Sequence, residues 1–372
     1  MCMCMCMCSR ERRLESHHAL ISSRREVESS TGRVTECSWM KLRPRHALWL
    51  LPLLVLFAPA CWTFRLPGPN FRGDLPPRDD STDALQSQLR ADVEALAKPG
   101  TQRRADHPDE IEPAARYLEQ RLTGLGYDVR SEPVVLREGA LSRNLISDRS
   151  GKSAELLIVG AHYDAARGAA GADDNASGCA ALLALAAHFA RLQPERTVRF
   201  ILFTSEEPPF FWSPQMGSRV SADAAQKRGD RIAAMVSLES LGFFSTAEGS
   251  QRYPFPLSWL YPSTGDFIAF VGDTRSAALV KQLGGDFRRH ARIPSEGAAI
   301  PGNITGVGFS DHSSYWRHGV PAVMVTDTAL FRNPHYHTPS DTPETLDYAR
   351  FAEVVRALGP ALEGLASPAG PP

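Results

Sequence analysis

The stretch ELLIVGAHYDAARGAAGADDNASGCAALLALAAHFARLQPERTVRFILFTSEE, Glu155 to Glu207, decides the fold. It holds two largely apolar runs, Glu155–Ala161 and Thr197–Thr204, on either side of a long Ala- and Leu-rich segment, Ala176–Leu192. Apolar strands without polar alternation are buried on both faces, and a helix between two of them is the crossover of a parallel pair. The expected class is therefore α/β, a three-layer α/β/α sandwich around a central mixed, mostly parallel sheet.

Working outward, the pattern continues in both directions. Upstream, Ser81 or Thr82 can cap a helix through Leu85, Leu89, Val93 and Leu96, and a second helix near Ala114–Leu125 ends at Gly126. YDVRSEPVVL and the short NLIS near Asn144 read as strands. Downstream, strands are expected at Ile232–Leu238, Asp266–Gly272 and Pro321–Asp327, with helices near Ser276–His290 and Thr345–Leu362. No internal repeat interrupts the series, so residues 83–366 read as one catalytic domain, preceded by a Pro-rich linker at 61–82 and followed by a tail at 367–372.

The N-terminal part has a different character. MKLRPRHALWLLPLLVLFAPAC, Met40–Cys61, places Lys41, Arg43 and Arg45 ahead of an apolar run ending in Ala58, Pro59 and Ala60. Basic residues, a short apolar stretch and a small-residue cleavage site form a signal-peptide pattern, with an uncleaved N-terminal anchor as the alternative for residues 40–60. Cys61 resembles the acylated cysteine of bacterial lipoproteins, although Ala58 stands where Leu or Val is usual. The expected location is therefore exported, periplasmic or extracellular, with possible membrane attachment through this segment or Cys61. The Met-Cys repeat and polar residues at 1–39 read as an upstream extension outside the fold.

Cysteine and charge exclude several classes of protein. Of seven cysteines only Cys179 falls within the expected domain, so no disulfide framework is available there. Residues 1–60 hold 9 Lys and Arg and 5 Asp and Glu of the chain's 41 and 42, which leaves the remainder near −5. That balance gives no footprint for nucleic acid.

In open α/β sheets, ligands bind beyond the carboxyl ends of the strands. The residues just past the expected strand ends are informative: His162 and Asp164, then Glu206 and Glu207, then Glu239, then a loop with His335 and His337. Taken singly, each has a plain structural role, such as Asp173 or Asp174 capping the helix that contains Cys179. Together they crowd carboxylates onto one sheet edge, where each raises its neighbours' pKa unless cations neutralise them. Two His with several carboxylates and no thiolate suit zinc or a similar divalent ion, and a shared carboxylate would set two ions about 3.5–4 Å apart.

The motifs HYD, GADDNASG, FTSEEPPFF, SLESLG, SDHSSYW and HYHTPSDT, in that order, resemble the zinc-dependent M28 metallopeptidases, whose best-known members are aminopeptidases. The resemblance covers roughly Ala84 to Leu365. It implies two Zn2+, one held by His162, Asp174 and Glu239, the other by Asp174, Glu207 and His337, with Asp174 as the bridge. It further implies that Asp164 orients His162, that Glu206 is the catalytic general base, and that the substrate is a peptide with a free N-terminus.

Two departures stand out. Glu239 occupies a position where many members have Asp, which keeps a carboxylate. No Tyr shortly precedes SDH, where Val307 and Phe309 stand, so Tyr315, Tyr336 or the metal itself is left to polarise the carbonyl. Asp311 and His312 line the pocket, support the metal shell or cap the following helix, and Phe210, Phe211 and Trp212 wall a side-chain pocket or pack in the core. A serine triad built on SDH is excluded by the missing nucleophile elbow.

Two other functions compete with the dizinc exopeptidase. A glutaminyl cyclase-like enzyme has the same fold and a similar WSPQ stretch, here Trp212–Gln215, but typically one zinc. A non-catalytic receptor-like module on this fold would have lost ligands, and none is missing here.

Overall fold

We describe residues 65–368 of a computed structural model, apart from residues 76, 78 and 99. The signal-peptide pattern, Cys61 and the upstream extension lie outside the described residues.

Eight strands join one sheet: β1 Val129–Val135, β2 Leu141–Arg149, β3 Ser153–His162, β4 Arg196–Phe203, β5 Ile232–Glu239, β6 Ile268–Gly272, β7 Ser295–Ala299 and β8 Ala322–Thr326. Their spatial order is β1-β2-β4-β3-β5-β8-β6-β7. The central neighbours β4, β3, β5 and β8 run parallel, as do β6 and β7, whereas β1–β2, β2–β4 and β6–β8 are antiparallel. The sheet is thus mixed, in agreement with the expected fold class.

Seven α-helices accompany the described strands: α1 Asp80–Leu96, α2 Pro108–Gly124, α3 Gly178–Phe189, α4 Gly217–Arg228, α5 Ala277–His290, α6 His312–Trp316 and α7 Tyr348–Ala366. Alternate strand residues divide the core into two layers. Leu157, Val159, Val198 and Phe200 pack with α1, α2, α3, α5 and α7, while Leu156, Ile158, Ile201 and Phe203 pack with Ala222 of α4 and with Tyr315 and Trp316 of α6. Strands buried on both faces explain their mainly apolar runs. Helix α3 is buried nearly all round, which explains its Ala and Leu composition.

Several details differ from the sequence reading. Helix α1 is capped by Asp79, whose carboxylate accepts the Thr82 N–H at 2.8 Å, and not by Ser81 or Thr82. The Pro-rich stretch is docked along part of its described length. Leu66 is buried against Gly284 and Gly297, and the Asn70 carboxamide oxygen accepts the Ser295 N–H. Strand β7 and helix α4 carry no clear sequence signal. SEGAA has no β-branched or aromatic residue to mark a strand, and GSRVSADAAQKR has too thin an apolar stripe to mark a helix.

No helix among the described residues is long and apolar enough to cross a membrane.

Candidate metal centre at the carboxyl edge of the sheet

His162 is the last residue of β3 and Glu239 the last of β5, so parallel pairing alone brings both to one edge. Glu206 and Glu207 come just after β4, the other neighbour of β3. The remaining groups come from the turn before α3 and from the loop after β8. Ser205, Ser240 and His337 adopt left-handed φ values of 53°, 49° and 57°. Such conformations are costly for non-glycine residues and concentrate at functional sites.

The geometry gathers the expected side chains into two overlapping triads. One ligand atom each from His162, Asp174 and Glu239 lies within 4.8 Å of the others, and so does one each from Asp174, Glu207 and His337. Asp174 belongs to both: Oδ1 is 3.2 Å from His162 Nε2 and Oδ2 is 3.0 Å from His337 Nε2. Glu239 Oε2 stands 3.3 Å from His162 Nε2, and Glu207 Oε2 stands 3.1 Å from His337 Nε2. All but His337 are buried.

The two adjacent aspartates differ in their contacts. Asp173 turns away from the triads and accepts the Gly242 N–H and the Asn333 carboxamide, at 2.9 and 2.8 Å. Asp341 fixes the backbone of both: its two oxygens accept the Asp173 and Asp174 N–H groups at 2.9 and 3.2 Å. Asn175 ties the same turn to β5, donating to Leu238 O and accepting from Ser240 N–H.

The contacts of Asp164 extend beyond one imidazole. Its carboxylate accepts the backbone N–H groups of Glu206 and Glu207, at 3.1 and 3.0 Å, and lies 3.5 Å from His162 Nδ1. It therefore anchors the turn that presents both glutamates, and its contact to the imidazole is long. Glu239 is oriented by the Ser310 hydroxyl, which donates to Oε2 at 2.7 Å.

Charge crowding leaves its mark on the acids. Burial, followed by the Asp174 charge, pushes Glu207 up to about 8, against the pull of His337. Burial also holds Glu206 well above the ordinary carboxylate range, with Glu239 and Glu207 adding to the shift and His162 opposing it. Asp174 is held below its usual range despite burial, because both imidazoles hydrogen-bond to it. Several buried polar atoms lack a protein partner, among them Glu207 Oε1 and both oxygens of Asp311. Oxygen and nitrogen donors left short of protons are what a divalent cation satisfies. The Cys179 thiol takes no part, since it donates to His162 O.

Other residues singled out in the sequence are sorted by burial. Tyr315 is enclosed in the core against Phe203, whereas Tyr336 stacks on His337 with ring centres 3.9 Å apart and lines the adjoining cavity. Phe210 is a core residue, while Phe211, Trp212 and Phe309 form a surface aromatic cluster with Trp212 53% exposed. His312 is buried as a neutral ring against Trp316, its Nε2 on Val307 O. His335 bonds Ser340 and stays out of the triads. Asp341, Asn175, Asn333 and Ser310 do not stand out as site residues in the sequence, although Asn175, Ser310 and Asp341 lie inside the motifs GADDNASG, SDHSSYW and HYHTPSDT.

A mixed α/β sheet with two ligand triads at its carboxyl edge defines a candidate metal-dependent enzyme. The sequence model of peptidase family M28 matches residues 144–361. The chain is also 37% identical over 317 residues to the uncharacterized protein YfbL of Escherichia coli (strain K12), covering 83% of this chain and 93% of that one. This protein belongs to peptidase family M28 and is a hydrolase acting on peptide bonds.

A probable leucine aminopeptidase of Trichophyton verrucosum is 29% identical over 240 residues, covering 60% of this chain and 58% of the fungal protein. The fold is similar to that of an aminopeptidase from Aneurinibacillus sp. strain AM-1, with a TM-score of 0.59 and 17% identity over 77% of this chain and 96% of that one. It is also similar to a Fimbriiglobus ruber glutaminyl cyclase, with a TM-score of 0.54 and 21% identity over 80% and 99%.

Proposed function

We propose that this protein is a dizinc exopeptidase that removes N-terminal residues from peptides. The observation that carries the reading is the pair of complete triads sharing Asp174, with Glu206 beside them. His162, Asp174 and Glu239 would hold one ion, and Asp174, Glu207 and His337 the other. When bound, such ions supply Lewis acidity, which acidifies water and polarises the peptide carbonyl.

The chain's own groups divide the remaining work. Glu206 is 6% exposed, and its carboxylate accepts no protein hydrogen bond among the described residues, so it is free to take a proton from the attacking water and return it to the leaving amine. Asp164 fixes the turn that presents Glu206 and Glu207 by holding both backbone amides. Ser310 orients Glu239, and Asp341 orients Asp174 through its N–H. Tyr336, beside His337 and facing the cavity, is better placed than Tyr315 to touch substrate.

Likeness in fold to glutaminyl cyclases and the WSPQ stretch support a second reading, intramolecular acyl transfer. The full two-triad set favours hydrolysis. A substrate screen separates them: free-amine dipeptides and aminoacyl amides should be cleaved and their N-blocked counterparts spared. Cyclisation of N-terminal glutamine without hydrolysis of other residues would favour the cyclase.

The sequence of Met40–Cys61 supports export, with attachment through that segment or Cys61. Mass analysis of the mature protein should show residues lost through Ala60, and an intact Met1 would contradict it.

A further inference from the structure

A cavity adjoins the triads, with Glu239 at one end of its lining. Its floor is the sheet. Glu239 pairs with Thr326 of β8, Thr326 with Ala269 of β6, and Ala269 with Glu296 of β7, and all four line the cavity. Three strand spacings separate the backbones of the two glutamates by about 14 Å. The next row along the strands, Met324, Val271 and Ala298, also lines the cavity and is aliphatic. The result is an apolar slot with a carboxylate at each end.

The two carboxylates are not equivalent. Glu239 is engaged by Ser310 and His162. Glu296 accepts the Asn70 carboxamide through Oε1 at 3.0 Å, but Oε2 lies 4.0 Å from Arg288 Nη2, beyond hydrogen-bond reach. The guanidinium of Arg288 is committed elsewhere, donating to Leu66 O, to Ser295 O and to the Ser295 hydroxyl. Burial pushes the Glu296 carboxyl above its usual range, with Arg288 opposing, so its negative charge is incompletely matched.

We propose that the slot takes the first residue of the peptide, and that Glu296 selects a side chain with a long apolar stem and a cationic tip, as in lysine or arginine. This rests on the exopeptidase reading. A leucine-sized side chain entering beside Glu239 stops over Thr326 and Ala269, short of Glu296. A lysine stem covers that aliphatic floor and carries its ammonium toward the far carboxylate, where a charge-assisted hydrogen bond forms.

The test compares lysyl with norleucyl amides, which share the stem and differ by the terminal amine, on the metal-loaded enzyme and on Glu296→Gln. The glutamine keeps an acceptor for Asn70. Wild-type kcat/KM should favour the lysyl amide by roughly 10-fold or more, and the variant should erase that preference through a rise in the lysyl KM, with the norleucyl value changing far less. A lysyl-to-norleucyl ratio near one in the wild type, or an unchanged ratio in the variant, would overturn the proposal while leaving the exopeptidase reading intact. Hydrolysis of neither amide would sink the exopeptidase reading instead. Calorimetric binding of lysine amide against norleucine amide then decides the slot: tighter lysine amide binding that Glu296→Gln abolishes supports it, and equal binding overturns it.

Discussion

Glu206 and Glu207 are neighbours in the chain to which the proposed mechanism gives separate tasks, and Asp164 holds the backbone amides of both. Glu206→Gln keeps shape and removes the proton acceptor. It should retain the metal complement while turnover falls by about 10²–10⁴-fold, as read by metal analysis and steady-state rates on one preparation. Near wild-type rates would remove Glu206 from that role. Asp341 is a test of a different kind, because it touches the triads only through the backbone of Asp173 and Asp174. Asp341→Ala should weaken metal affinity by about 10–100-fold, measured by competition with a chromophoric chelator; unchanged affinity would mean the turn holds its shape unaided. The ligand-type residues are legible in the sequence because their chemistry is rare and their places after strands are regular. Asp341, Asn333 and Ser310 are not, because their partners lie 71 or more positions away and no local pattern marks such a contact.

At the scale of elements, the parallel core from β4 to β8 explains why a handful of strand ends suffices to build the site. Mainly apolar runs mark those strands in the sequence, whereas β7, made of small and polar residues, carries no period to read, and it supplies Glu296. The turn into α3 depends on close packing. A Cβ at Gly178 would come within 2.3 Å of Asn175 Oδ1 and 2.5 Å of Leu238 O, so the helix start can approach β5 only with glycine there. Gly171, with φ at 66°, opens the same turn. Gly178→Ala should therefore destabilise the fold by about 1–3 kcal/mol and loosen Asn175. A thermal melt of the metal-loaded protein checks it, and an unchanged Tm would mean that the turn relaxes without cost.

For the whole molecule, the clustered acids make stability depend on metal and pH together. Burial and mutual repulsion raise Glu207 and Asp341 to about 8 and Asp311 to about 7, from about 4 in an unfolded chain. The metal-free fold then holds protons that the unfolded chain releases, so its stability falls as pH rises from about 5 to 8. Against the effect of burial, His337 is raised to about 10 by its two carboxylate partners, and it acts in the same direction above its ordinary value. Bound cations would keep these carboxylates ionised and flatten the slope. Melting curves at pH 5 and pH 8, with chelator and with zinc, should diverge at the higher pH, and parallel profiles would contradict this electrostatic coupling.

Peptide hydrolysis should require two ions that share Asp174. Titrating chelated enzyme with zinc, while recording bound metal and turnover of a free-amine dipeptide on the same sample, tests this requirement most directly. Activity should reach its plateau only near two ions per chain. Full activity at one ion, or after complete removal of metal, would contradict it.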